Sequence, residues 1–123
     1  MVKPNMNILI ADDNSEMRSY IAEVISDIAT SVYEAADGPE AVASARSCKP
    51  DLILMDIRMP GFDGIEATRR ILKENPGLKV VIVTELDSRD LRRDARESGC
   101  LAYVLKDDLE VLPETLAGLL YLN

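Results

Sequence analysis

The sequence predicts an α/β fold, a doubly wound five-stranded parallel sheet with helices on both faces. Two observations predict it. Short apolar runs alternate with segments of helical periodicity five times along the 123 residues, which is the pattern of repeated β-α units. The fourth run, residues 79–84, is rich in β-branched residues, as expected of a strand buried on both faces. The length suits a single domain over residues 1–123 with one core.

The first two strands and helices follow from capping and periodicity. Residues 7–11 form the first strand, and Asn14 is the predicted N-cap of the first helix. The apolar residues of that helix recur at helical spacing: Met17, Ile21, Val24, Ile25 and Ile28. Residues 31–36 form the second strand, and Asp37-Gly38-Pro39 opens the second helix, with Pro39 in its first turn.

The middle of the chain contains the most apolar strand. Lys49-Pro50-Asp51 ends the second helix, and the strand at residues 52–55 leads directly into Asp56. A loop at residues 59–64 precedes a helix from about residue 65 to residue 74. That helix stops at Asn75-Pro76-Gly77, before the fourth strand.

The fourth helix, roughly residues 88–98, has little apolar surface. One face holds Arg89, Arg92, Arg93 and Arg96, and another holds Asp87, Asp90, Asp94 and Glu97. The remaining face holds Leu91 and Ala95, and burying one leucine contributes only ~1.5–3 kcal/mol. We expect a weakly anchored helix, either simply solvated and salt-bridged or displaced in a switch.

The C-terminal segment follows a fifth strand at residues 102–105. Its leucines have helical spacing: Leu109, Leu112, Leu116 and Leu120. Either the last helix begins at Pro113, or a kinked turn precedes it. The apolar end, residues 119–122, is compatible with a packing or dimer surface, or with the point where an output domain would follow.

Reactive polar residues follow four of the strands. Asp12 and Asp13 follow the first strand, Asp56 the third and Lys106 the fifth, while Thr84 ends the fourth. The carboxyl ends of parallel strands share one edge, so these side chains should converge there. Three nearby carboxylates repel one another, and Mg²⁺ would relieve this repulsion. The alternative is that the first two aspartates merely cap the first helix.

Phosphoryl transfer is the chemistry that these residue types favour. The Asp56 carboxylate can attack a phosphoryl group as a nucleophile. Such transfer needs positioning and charge neutralisation, which Mg²⁺ and Lys106 would supply. Thr84 offers a hydroxyl donor to a phosphoryl oxygen. Tyr103 would be half-buried, and core packing explains it equally well.

Composition excludes several other functions. The chain has no histidine, which rules out Ser-His-Asp and Cys-His catalysis and histidine metal sites. The net charge of -8 argues against direct nucleic-acid binding and against a basic membrane-binding surface. No apolar stretch approaches the ~20 residues of a membrane span, so we expect a cytoplasmic protein.

These motifs resemble the receiver domain of bacterial response regulators, the CheY-like family, over essentially the whole chain. The matching segments are residues 8–13, 36–38, 50–61, 63–64, 83–84 and 102–106. Residues 66–70 and the Tyr-Val-Leu-Lys-Asp run are most similar to the NarL/FixJ/LuxR-type branch, whose receivers usually precede a DNA-binding domain. The resemblance implies a flavodoxin-like sheet of order 2-1-3-4-5.

The resemblance also implies roles for the polar residues. Asp56 would be the phosphoacceptor, and Asp13, Asp56 and the backbone carbonyl of Arg58 would hold Mg²⁺. Asp12 would act on the metal through water, and Lys106 would pair with the phosphoryl group. The chain would then be no enzyme beyond its own phosphorylation and dephosphorylation.

A conformational switch would follow phosphorylation in such a domain. Thr84 would shift toward the phosphoryl group, and Tyr103 would rotate into the space vacated. The output surface would be the fourth helix, fifth strand and fifth helix, with a phosphorylation-dependent homodimer as one outcome. The phosphodonor would be a sensor histidine kinase or a phosphotransfer protein.

Three positions should modulate the phosphate lifetime or access to it. Arg58 and Leu86 would flank the path of attacking water. Glu85 stands where the family usually has a small residue, so its carboxylate would oppose the phosphate charge or gate access.

Other functions stay open at this point. A haloacid-dehalogenase-type hydrolase would need an aspartate where Arg58 stands. A phosphorylation-independent interaction module is supported only by Glu85. The receiver part of a longer DNA-binding transcriptional regulator is a further alternative.

Overall fold

The computed structural model describes residues 5–121 and confirms the predicted α/β fold. The strands are β1 (Asn7–Ala11), β2 (Ser31–Ala35), β3 (Leu52–Met55), β4 (Lys79–Thr84) and β5 (Ala102–Leu105). The helices are α1 (Ser15–Val24), α2 (Gly38–Cys48), α3 (Gly64–Glu74), α4 (Arg89–Ser98) and α5 (Leu112–Tyr121), and a 3-10 helix (Lys106–Val111) precedes α5. Leu122, in the predicted apolar end, lies outside the described residues.

All four strand pairs are parallel, in the order β2-β1-β3-β4-β5. The chain moves outward from β1 to β2 and then crosses back to β3 on the other side of β1. This reversal opens a crevice above the carboxyl ends of β1 and β3, where doubly wound sheets bind ligands.

Two apolar layers, one on each face of the sheet, hold the helices in place. Alternate strand residues point to opposite faces, so Leu9 packs with α2, α3 and α4 while Ile8 packs with α1 and α5. The same alternation places Ile53 in the first layer and Leu52 in the second. Burial on both faces explains why the strands read as nearly continuous apolar runs.

Each of the first four helices starts at a side chain that caps it. Asn14, Asp37, Asp63 and Ser88 each accept a hydrogen bond from the backbone N–H three residues further along the chain. These bonds satisfy amide groups that have no partner within the helix. The predicted cap at Asn14 is therefore confirmed, and the second helix opens at Asp37-Gly38-Pro39 as predicted, with Asp37 as its cap.

The first helix is shorter than its apolar spacing predicts. α1 ends at Val24, and Ile25 to Ile28 form turns in which the Ser26 N–H bonds the Glu23 carbonyl only three residues back. Ile25 is nevertheless fully buried. Apolar spacing therefore predicted the burial of Ile25 correctly but not the length of the helix. Ser26 and Asp27 are both weak helix formers, and the regular helical hydrogen bonding ends before them. β2 likewise ends at Ala35, one residue before the predicted end.

Helix α4 is held to the sheet by few apolar side chains, as predicted. Its buried residues are Ala95 and Ser98, and Leu91 is only partly buried. Ion pairs cover its outer surface, including Arg92 Nε to Asp87 Oδ1 at 3.0 Å. The helix therefore depends on surface charges, which stabilise it little.

The last helix combines the two predicted alternatives, a kinked turn and a helix that starts close to Pro113. A kinked 3-10 segment, with Asp108 outside helical φ/ψ values, precedes α5. Pro113 lies in the first turn of α5, where its missing N–H has no helical acceptor to lose. Within residues 5–121, no helix has the length and apolar character required to cross a bilayer.

Candidate functional site

Three aspartates meet at the carboxyl edge of β1 and β3. Asp12 and Asp13 follow β1 and Asp56 follows β3, and one carboxylate oxygen from each lies within 4.8 Å of the others. Asp12 and Asp56 are buried, whereas Asp13 is exposed. The predicted convergence of these carboxylates is what the structure shows, and helix capping falls to Asn14 instead.

Lys106 bridges the two buried carboxylates. It follows β5, and its Nζ lies 2.7 Å from Asp12 Oδ2 and 3.0 Å from Asp56 Oδ2. Only 12% of the lysine side chain is exposed. Strand order explains this convergence, because the carboxyl ends of β1, β3 and β5 all open onto the same edge.

Asp12 is held at four polar atoms. Its N–H donates to the Ala35 carbonyl (3.0 Å), its Oδ1 accepts from the Asn14 N–H (2.9 Å), and its backbone carbonyl accepts from Arg18 Nη1 (2.7 Å). Its Oδ2 is in ion contact with Lys106 but outside hydrogen-bond geometry. A buried carboxylate oxygen with spare acceptor capacity suits an additional cationic or donor group.

Asp56 is fixed by the strand before it and the helix after it. Its N–H donates to the Ala11 carbonyl at 2.9 Å, and its Oδ1 accepts from the Ile57 N–H at 2.8 Å. Gly64, the first residue of α3, lies against the Asp56 backbone so closely that a Cβ there would be 1.7 Å from the Asp56 carbonyl oxygen. The start of α3 therefore buttresses Asp56.

Burial and pairing both act on the ionisation of this pair. Burial raises the pKa of the Asp56 carboxyl above its usual value, and the Lys106 ammonium opposes the rise only in part. Burial alone would lower the pKa of Lys106, but Asp56 and Asp12 together outweigh burial and that pKa is raised. The ammonium is thus firmly charged, while ionised Asp56 carries an uncompensated desolvation cost.

A polar cleft of about 260 Å³ opens onto these groups. Its lining residues are Asp12, Asp13, Asn14, Met17, Asp56, Arg58, Glu85 and Lys106. The predicted modulators Arg58 and Glu85 lie in this wall, whereas Leu86 packs against the core below α4. A larger groove of about 340 Å³ between α2 and α3 lacks convergent unpaired charge and is not favoured as the reactive site.

Thr84, Leu86 and Tyr103 form a hydrogen-bonded chain beside the cleft. Thr84 is fully buried, and its Oγ1 accepts from the Leu86 N–H at 3.2 Å. The Leu86 carbonyl accepts from the Tyr103 hydroxyl at 2.6 Å. Tyr103 is partly buried, as predicted, and the Arg92 guanidinium lies 4.6 Å from its ring centroid.

The donor set fits a magnesium ion. The three carboxylates offer hard oxygen ligands, and Asp13 at the cleft mouth leaves room for water molecules, which Mg²⁺ tends to keep. The buried Asp12 Oδ2 has no hydrogen bond although Lys106 Nζ lies 2.7 Å away, so it keeps acceptor capacity for a water molecule or a second cation.

Sequence reasoning missed Arg18 and Glu34. Arg18 lies on α1, donates to the Asp12 carbonyl, and forms an ion pair with Glu34 of β2 at 2.6 Å. The available signal was a single arginine five positions after the paired aspartates. Nothing in the spacing pairs it with Glu34, because Glu34 comes next to it only through the pairing of β1 with β2.

Comparisons with known proteins agree with this geometry. A sequence model of the family described as "Response regulator receiver domain" matches residues 8–117. The chain is 36% identical to "Response regulator GacA" of Pseudomonas viridiflava, over 82% of this chain and 48% of that protein. It thus spans about half the length of the curated relatives that it matches.

Solved structures give the same result. A LuxR-family two-component response regulator from Aurantimonas sp. SI85-9A1 has a TM-score of 0.88 and 30% identity, covering 94% of this chain and 85% of that one. The response regulator domain of CheB from Thermotoga maritima has a TM-score of 0.82 and 31% identity, covering 92% of each.

Proposed function

Because the chain belongs to the response regulator receiver domain family, whose members act in two-component signalling, we propose that Asp56 is its phosphoacceptor. The observation that carries the proposal is the bridge from Lys106 Nζ to Asp56 Oδ2, at 3.0 Å, beside two further carboxylates. A nucleophilic carboxylate, a fixed ammonium and an acidic cation site are the parts that phosphoryl transfer needs.

The proposed donor is a phosphohistidine of a sensor histidine kinase or phosphotransfer protein. An ionised Asp56 oxygen bonds to phosphorus while the bond from phosphorus to the donor imidazole nitrogen breaks, and that nitrogen takes up a proton from water, so the imidazole leaves neutral. Lys106 stays protonated, since its pKa is raised, and its charge is placed to stabilise the added phosphoryl oxygens. Because such a donor lies in the bacterial cytoplasm, we place the domain there too.

Asp13, Asp56 and the Arg58 carbonyl would hold Mg²⁺, with Asp12 acting through water. When bound, the ion would supply positive charge against the carboxylates and the transferred phosphoryl oxygens. The exposed Asp13 and the buried Asp12 fit the two different roles, direct and water-mediated, by their access to solvent.

The proposed switch runs from Thr84 to α4. A shift of Thr84 would disturb the bond from the Leu86 N–H, then the bond from Tyr103 to the Leu86 carbonyl, then the contact of Tyr103 with Arg92. Since α4 buries little apolar surface, small changes at these contacts can move it. We therefore propose α4, β5 and α5 as the output surface.

We propose that the whole protein carries an output domain in addition to this receiver domain. Its relatives include transcriptional regulators and LuxR-family response regulators, and the chain spans about half of the curated ones. A DNA-binding output domain, and a phosphorylation-dependent dimer through α4, β5 and α5, are consistent with these relatives. We propose that Arg58 and Glu85 in the cleft wall tune the phosphate lifetime.

Phosphorylation by a small donor tests the proposal directly. Incubation with acetyl phosphate and Mg²⁺ should add the mass of one phosphoryl group to the intact protein, and Asp56→Asn should abolish the increase. Asp51→Asn is the matched control, because Asp51 lies at the opposite end of β3 and accepts a bond from the Asn7 N–H. An unmodified wild type, or equal modification of the Asp56→Asn variant, would contradict the proposal.

A further inference from the structure

We propose that Arg18, held by Glu34, is a positioning residue for the acidic site, one that sets the geometry of the Asp12–Asp13 peptide and thereby the Mg²⁺ affinity. This inference rests on the proposed function, because it assigns a role within that same site.

The first step is the contact with the backbone. β2 ends at Ala35, which accepts from the Asp12 N–H, so the Asp12 carbonyl lies beyond the last rung between β1 and β2. Arg18 Nη1 donates to that carbonyl at 2.7 Å. The carbonyl belongs to the planar peptide unit that carries the Asp13 nitrogen and Cα. A donor on this oxygen therefore limits rotation of the peptide that presents Asp13 to the cleft.

The second step is the anchoring of the arginine itself. Its Nε donates to Glu34 Oε1 at 2.6 Å, and only 17% of the Arg18 side chain is exposed. The guanidinium presents Nε and Nη1 in one rigid plane, so fixing Nε on Glu34 also fixes the direction of Nη1. Lysine at this position would carry its three N–H donors on one freely rotating atom, so it would lack the rigid fork that fixes both directions at once.

The third step is that Asp13 depends on this peptide more than Asp12 does. The Asp12 carboxylate is held by the Asn14 N–H and by Lys106. Over residues 5–121, by contrast, the Asp13 carboxylate has no ion pair or hydrogen bond, so only the backbone sets the direction in which its Cα–Cβ bond points. Loss of Arg18 should therefore displace the exposed carboxylate of Asp13 first.

Calorimetric titration of the unphosphorylated protein with MgCl₂ tests the inference without reference to activity. Arg18→Gln should weaken Mg²⁺ binding about tenfold, at the lower end of the roughly 10–100-fold typical when a partner of a metal ligand is removed. Arg18→Lys should recover only part of the affinity. In phosphorylation by acetyl phosphate, Arg18→Gln should raise the Mg²⁺ concentration for half-maximal rate more than it lowers the maximal rate.

Two controls separate positioning from a general loss of stability. Ile21→Val removes a methyl group from the fully buried face of the same helix, and it should lower the melting temperature without changing Mg²⁺ affinity. Arg46 of α2 pairs with Glu74 of α3, away from the cleft. Arg46→Gln should therefore change neither the melting temperature nor the Mg²⁺ affinity. Equal Mg²⁺ affinity in folded Arg18→Gln and the wild type would overturn the inference.

The Glu34→Gln variant tests the inference even if Arg18→Gln does not fold. It leaves the arginine in place and should weaken Mg²⁺ binding less than Arg18→Gln does. Because Glu34 acts through Arg18, adding Glu34→Gln to a folded Arg18→Lys or Arg18→Gln background should cost little more. Unchanged affinity in Glu34→Gln and Arg18→Lys would overturn the inference, while a wild type without Mg²⁺ affinity would overturn the proposed function as well.

Discussion

At the residue scale, the Asp56 carboxylate is the group whose environment opposes its own charge most clearly. Burial raises its pKa, and Lys106 reverses only part of that effect. Between its ordinary and raised pKa, the folded state binds more protons than the unfolded state. The stability that protonated Asp56 contributes is therefore present at acid pH and lost as the pH rises through the raised pKa.

Replacing this carboxylate with an amide should therefore stabilise the protein at neutral pH. We expect Asp56→Asn to raise the free energy of unfolding at pH 7, because the amide keeps the shape of the side chain without its buried charge. The gain should shrink as the pH falls through the raised pKa, because the wild-type carboxyl then takes up a proton and is neutral like the amide. Urea denaturation of both proteins across this pH range measures it, and a variant less stable at pH 7 would contradict the expectation.

Removal of the lysine should have the opposite effect. Lys106→Met leaves Asp12 and Asp56 buried without their shared cation, and breaking a buried pair typically costs about 3–5 kcal/mol. Since the site lies at the rim of the sheet, we expect about 3 kcal/mol, with a smaller loss at acid pH. Lys73→Met on the exposed face of α3 is the control, and its unfolding should resemble that of the wild type.

At the element scale, the start of α3 is confined by the backbone of Asp56, directly after β3. A Cβ on Gly64 would lie 1.7 Å from the Asp56 carbonyl oxygen, whereas a Cβ on Gly118 in α5 meets nothing within 4 Å. We expect Gly64→Ala to destabilise the fold by at least about 1–3 kcal/mol, through displacement of backbone against backbone. Gly118→Ala should stabilise it by about 0.5–1 kcal/mol, since alanine favours the helix.

Chemical denaturation of both glycine variants measures the contrast. Phosphorylation adds a second reading, because a shifted α3 would also displace Asp56. Gly64→Ala should therefore accept less phosphate from acetyl phosphate even where it is fully folded. Equal stability of the two variants would contradict the close approach of α3 to Asp56.

Helix α4 should open more readily than α3. Ile65 and Ile71 of α3 are buried, whereas α4 places only a partly buried leucine beside Ala95 on the sheet. One further buried aliphatic side chain is worth ~1.5–3 kcal/mol, which corresponds to at least about tenfold in local opening. Amide hydrogen exchange should show this difference in the metal-free protein, and equal protection of the two helices would contradict it.

At the scale of the whole molecule, the net charge of -8 acts against the compact state. Added NaCl screens this repulsion, since the Debye length falls from about 30 Å at 0.01 M to about 8 Å at 0.15 M. We expect the melting temperature to rise over this range. MgCl₂ at matched ionic strength should raise it further, because binding to the folded state adds to screening.

A comparison of variants separates these two effects of magnesium. Asp13→Asn should keep the response to NaCl and lose most of the additional response to MgCl₂. A wild type that responds identically to both salts at matched ionic strength would contradict binding at the acidic cluster.

Most of the fold was predictable because its determinants are local. The strands are short apolar runs that end at polar residues, and caps such as Asn14 and Asp37 mark where helices begin. Convergence of Asp12, Asp56 and Lys106 then followed from the rule that parallel strands share a carboxyl edge. The end of α1 was not predictable from apolar spacing, because Ile25 is buried in a turn as completely as it would be in a helix.

The parts that could not be predicted depend on contacts between distant segments. Arg18 meets Glu34 only because β2 pairs with β1, and Gly64 meets the Asp56 carbonyl only because of how the loop after β3 folds back. The Leu86 side chain turns toward the core, although its neighbour Glu85 lines the cleft. Sequence spacing contains no direct record of such long-range geometry.

Lys106 follows Asp12 by 94 residues, yet it completes the site that begins there. During synthesis on the ribosome, the aspartates emerge long before the lysine that neutralises them. A nascent or truncated chain that lacks β5 therefore cannot bring the ammonium to the carboxylates, and it should not accept a phosphoryl group from a phosphodonor. Acceptance of a phosphoryl group would then require that the whole stretch from Asp12 to Lys106 has been synthesised and folded, so an incomplete receiver would not signal.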